Sequence, residues 1–178
     1  MSQSIGWKAL LGDTIVAKSA LDDADPKHLE PYTLPKVAAT EDALAAFETV
    51  HGALPSAYRQ FLLHANGWPQ FYMDADLFGL PELEGSASAA VAAELMDVYT
   101  DTGVFDDMDW PPGDALPVGA GEGMRDLFVI GRAGTPVQGQ VSWIDGEEIE
   151  RYPDFGEFIA SMRDAVLRRV HQLTQPAS

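Results

Sequence analysis

Apolar residues recur at three- and four-residue intervals through Leu54, Tyr58, Phe61, Leu62 and Ala65, which gives a helix between Pro55 and Asn66 one continuous apolar face. Pro55 suits a first helical turn, where its missing N–H has no partner to lose, and Gly67 after Asn66 suits a left-handed stop. Arg59, Gln60 and His64 fall on or near the opposite face. Upstream, Thr40 is a good N-cap, Glu41 and Asp42 favour the positive helix end, and Leu44, Phe47 and Val50 make a buried stripe that Gly52 ends. Residues 40–66 therefore predict a helical hairpin.

Trp68 to Tyr72 reads as an aromatic-rich loop and Leu77 to Leu83 as a strand with Pro81 near its end. Ser86 or Ser88 caps a third helix through Tyr99, with Val91, Leu95, Val98 and Tyr99 inward. Asp101 to Asp114 follows as an acidic loop. The pattern then changes to short apolar or aromatic stretches separated by Gly-containing turns, with strands at Leu116 to Ala120, Asp126 to Gly131 and Gln140 to Ile144. Asp145-Gly146 is a two-residue hairpin signal leading into Glu147 to Tyr152. Asp154, with Glu157 three residues on, caps a last helix whose inward face is Phe155, Phe158, Ile159, Met162, Val166, Val170 and Leu173. Before all this, Trp7, Leu10 and Leu11 are spaced for one or two helical turns, and Pro26, Pro31 and Pro35 argue against regular structure after them. The first 39 residues thus predict an arm laid over the domain, with Trp7 as its packing anchor. The element order predicts a single α+β domain, a mainly antiparallel sheet packed with about four helices, and a disordered tail over 174–178.

Three segments of this pattern together resemble a known family. Leu54-Pro55, then Tyr58, Phe61-Leu62 and Asn66-Gly67, resembles the signature of the SUKH superfamily, which includes yeast cell-wall synthesis regulators and many bacterial immunity proteins. Leu77-Phe78-Gly79-Leu80 stands where that family places an aromatic strand, and Pro153-Asp154-Phe155-Gly156-Glu157-Phe158-Ile159 resembles its closing helix. The resemblance covers roughly Thr40 to Leu173, leaving 1–39 outside it. Trp68-Pro69 stands where the family often has a second Gly. The resemblance implies a SUKH-like domain over 40–173 that binds a protein, in bacterial members a cognate toxin, often a nuclease, and in the yeast members a partner of an intracellular regulator.

Composition narrows the chemistry. The 178 residues and 46% hydrophobic content suit one folded domain, and no apolar run reaches the roughly 18 residues of a membrane span. The N-terminus lacks the apolar length and cleavage site of a secretory signal, so a cytoplasmic protein is expected. Without Cys, disulfides and thiolate chemistry are excluded. The net charge of −17 is uneven: Gln60 to Met124 holds twelve Asp and Glu and no Lys or Arg. Such a field repels nucleic acid and anionic lipid and attracts a basic protein. Simple solubility is the competing explanation.

Sites for chemistry are weak by comparison. Gly119 to Gly123 lacks the Lys-Ser or Lys-Thr of a phosphate loop and reads as a β-turn. Asp106, Asp107 and Asp109 lack the spacing of a Ca²⁺-binding loop. The four histidines stand singly, without metal-ligand spacing, and no Gly-x-Ser-x-Gly elbow marks a nucleophile. No catalytic residue, cofactor or metal is expected, and a carboxylate hydrolase is the rival from another class. The expected partner surface is built from Asp97, Asp101, Asp106, Asp107, Asp109, Asp114 and Glu122, with Trp110 as its apolar anchor or, alternatively, packed against Pro111 and Pro112.

Overall fold

The structure, a computed structural model, describes residues 5–123 and 125–175. Its centre is a strand with no polar side, Leu127–Gly131, in which Phe128 and Ile130 enter one apolar cluster and Leu127 and Val129 another. Side chains of a strand alternate between faces, so an uninterrupted apolar run means that both faces are covered. Around it, β1 (Trp68–Tyr72), β2 (Ala75–Leu77), β3 (Ala115–Ala120), β4 (Leu127–Gly131), β5 (Val141–Ile144) and β6 (Glu148–Tyr152) pair in chain order, every neighbour antiparallel. Helices α1 (Trp7–Ala24), α2 (Glu41–His51), α3 (Ser56–Leu62) and α7 (Phe155–Thr174) contribute to the first cluster, and α5 (Ala87–Asp101) and α6 (Val104–Asp107) to the second. The α+β plan and the antiparallel sheet are as expected. Seven helices are present among the described residues, counting α4 (Leu80–Glu84), where about four were expected.

The signature residues meet one another. Buried Tyr58 on α3 donates its hydroxyl to Phe78 O at 2.6 Å, and Leu80 N donates to Asn66 Oδ1 at 2.8 Å. Gly67 takes φ +95°, and a Cβ on Gly79 would lie 2.1 Å from Asn66 O. Only glycine fits so close a backbone approach. Glu82 Oε2 accepts from Gly79 N at 2.8 Å, which starts α4 where a continuing strand was expected. Pro81 is at home in that first turn.

Other differences have similar local causes. Helix α3 ends at Leu62, four residues short of Asn66, because the chain must turn before Gly67 to reach β1. The expected loop at Trp68 to Tyr72 is a strand; it lies at the sheet edge, where Pro69 removes no ladder bond from a central position. The N-terminal segment, expected as one or two turns, is an 18-residue helix packed along α7. Its buried side reads Trp7, Leu11, Thr14, Ala17, Lys18, Leu21, so two polar residues interrupt the stripe. Thr14 donates back to Leu10 O, and Lys18 Nζ donates to Gln70 O at 3.0 Å and Phe71 O at 2.9 Å. The two Lys18 bonds satisfy carbonyls of edge strand β1. Val50, Val98 and Leu173, expected inward, are exposed. In the expected tail, Thr174 is helical and Pro176 to Ser178 lie outside the described residues.

Candidate functional site

The acidic stretch begins on α5, which Ser86 caps by accepting from Ala89 N at 3.0 Å. Asp97 and Asp101 are four residues apart and so share one face, and both are exposed. Tyr99, buried between them, donates its hydroxyl to Arg125 O at 2.6 Å and accepts from Gly146 N at 3.1 Å. Burial raises the Tyr99 pKa above its ordinary value. One side chain thereby ties the end of α5 to the β3–β4 connection and to the β5–β6 hairpin.

Asp101 to Asp114, expected as a loop, contains α6 and a 3-10 turn at Pro112–Asp114. Val104, Phe105 and Met108 point into the second cluster, which leaves Asp106, Asp107 and Asp109 facing solvent. Asp109 adopts φ +53°, a left-handed conformation that aspartate tolerates, and the reversal returns Trp110 N to Phe105 O at 3.0 Å. Trp110 is consequently 1% exposed, so the structure does not present it as a surface anchor. Its ring lies 5.2 Å from the Arg151 guanidinium carbon, and Arg151 is held by Met108 O at 2.8 Å and Glu148 Oε1 at 2.6 Å.

The expected acidic residues divide. Asp97, Asp101, Asp106, Asp107 and Asp109 follow one another along α5 and α6, and none is ion-paired among the described residues. Asp114 is half-buried at the start of β3, where its carbonyl accepts from Arg132 N, whereas Glu122 sits in the turn beyond the other end of that strand. These two are not brought together. Two acids that the sequence reading left out join the group instead: Glu147 and Glu148 of the β5–β6 hairpin line a groove of about 200 Å³ with Asp107, Val104 and Met108. The Asp145-Gly146 turn marked that hairpin, but nothing local says that it folds against α6. Behind the hairpin, Asp126 accepts from Trp143 Nε1 at 2.5 Å, and burial raises its pKa.

The arrangement offers carboxylate charge over a closed apolar layer. Among the described residues no three His, Asp or Glu are placed to hold a metal ion, and no helix is long and apolar enough to cross a membrane. Among curated proteins none matches the sequence. The family model described as SMI1 / KNR4 family (SUKH-1) matches residues 38–161, and the chain belongs to that family.

Proposed function

We propose that this SUKH-1 chain is a protein-binding module, acting by occlusion rather than by catalysis, and that its partner is a basic toxin domain against which it serves as an immunity protein. The family, which includes immunity proteins, supports a protein partner in general. The observation that carries the more specific reading is the run of exposed, unpaired carboxylates along α5 and α6, continued by Glu147 across the groove from Asp107. A nuclease is positive where it grips phosphate, and a rigidly displayed row of carboxylates offers that surface a competing anion. Pro111, Pro112 and the short helix hold the row in place, so little ordering is required on binding.

The test is co-purification from the source organism, identification of the bound protein, and association kinetics against ionic strength with that protein. Replacing Asp106, Asp107 and Asp109 together by Asn should leave circular dichroism unchanged and slow association about tenfold at low salt. Equal salt dependence in wild type and triple variant would assign these carboxylates to solubility and place the contact elsewhere. The gene beside this one is expected to encode the toxin.

A further inference from the structure

Between the β1–β2 turn and α7, the carboxylate of Glu30 is 6% exposed and its Oε2 has no hydrogen-bond partner. It lines a cavity of about 240 Å³ bounded by Tyr72 and Met73 of the β1–β2 turn and by Met162, Arg168 and Arg169 of α7. Arg169 Nε is also buried and unpartnered. Neither group meets the other, since no ion pair joins them, and a buried charge without a partner is costly unless something supplies its hydrogen bonds. The cavity lining therefore combines an acceptor, Glu30, donors on Arg168 and Arg169, and the apolar side chains of Met162 and Val166.

We propose that this cavity binds a small zwitterion, its ammonium on Glu30, its carboxylate on Arg169 and Arg168, and its aliphatic carbons against Met162 and Val166. Single charges fit less well. An anion alone leaves Glu30 opposed within a protein of net charge −17, and a cation alone faces Arg168 and Arg169. Size sets the class: the space of about 240 Å³ lies below the ~300 Å³ of drug-sized sites. A molecule of amino-acid dimensions fills it.

The experiment is titration calorimetry on the full chain with glycine, 4-aminobutyrate and 6-aminohexanoate, and with n-butylamine and butyrate as single-charge probes. At least one zwitterion should bind and raise Tm while neither single-charge probe does. Glu30→Gln and Arg169→Gln should each weaken that binding at least about tenfold, the usual loss for a hydrogen bond to a charged group. Ala165→Met, which fills the cavity from α7 without touching a charge, should abolish it and keeps the test decisive if a charge variant fails to fold. Absence of binding by every zwitterion at millimolar concentration would mean that the cavity holds water only. Equal binding in all three variants, or by n-butylamine or butyrate as tightly as by the best zwitterion, would equally overturn the proposal.

Discussion

Phe61 is fully buried, with the rings of Trp7, Tyr58 and Phe155 centred 6.0, 6.2 and 5.0 Å from its own. Three aromatic neighbours held by three different helices cannot collapse into the space it would leave. Phe61→Ala is therefore expected to cost about 3–5 kcal/mol, read as a lower urea midpoint at unchanged m-value. Lys18 makes a different kind of prediction. Burial lowers its pKa from 10.5 to about 8 against the raising influence of Glu30 and Asp22. Between those two values the unfolded chain binds the proton and the folded one has lost it, so this residue's contribution to stability rises with pH across that window. Unfolding free energies of wild type and Lys18→Met should diverge in favour of wild type from about pH 8 to 10.5; taking the difference removes the tyrosine titrations common to both. A constant difference would mean that Lys18 is charged throughout. Residues such as Phe61 were legible because their spacing alone marks them as inward. Lys18 was not, because its burial depends on strand carbonyls 52 and 53 positions away.

Among the elements, α7 was the most fully legible. Its start is fixed by one side chain: Asp154 Oδ1 accepts from Gly156 N at 2.8 Å and Glu157 N at 3.0 Å. Asp154→Ala should lower stability by about 1 kcal/mol by leaving both donors without that acceptor, measurable by thermal unfolding. Helix α1 stands at the other extreme. Pro26, Pro31 and Pro35 after a short apolar patch predict only an arm over residues 1–39, yet Trp7 and Leu11 enter the main cluster, and Ala17 and Leu21 pack with Val166 of α7. A chain beginning at residue 25 should consequently bind a hydrophobic dye and unfold without a sharp transition. Sharp two-state unfolding of that truncation would restore the reading of α1 as a dispensable arm. Strands β3, β4, β5 and β6 fell within one residue of their expected limits, since short apolar runs and Gly turns are properties of contiguous sequence. Strand β1 did not, because pairing with β2 overrode the breaking tendency of Pro69.

At the scale of the molecule, charge and its distribution dominate. With a net charge of −17, self-repulsion opposes compaction, so raising salt from low ionic strength should raise Tm. EDTA at constant ionic strength should leave Tm unchanged, because the chain has no Cys and its His residues stand singly; a fall of several degrees would point to Asp106, Asp107 and Asp109 as a cation site. By itself the sequence determined the α+β class, strands β3 to β6, the helix caps at Thr40, Ser86 and Asp154, and the acidic bias between Gln60 and Met124. The strands and caps follow from apolar runs, capping and turn chemistry within a few neighbouring residues and the bias from composition, whereas the signature residues were marked by the family resemblance. Only the tertiary structure decided that Trp110 is core rather than surface, that Glu147 faces Asp107, and that Glu30 and Arg169 share a cavity. Burial and electrostatic company are set by what lies across a layer boundary, and the residues that line one space there are separated by 40 positions between Asp107 and Glu147 and by 139 between Glu30 and Arg169.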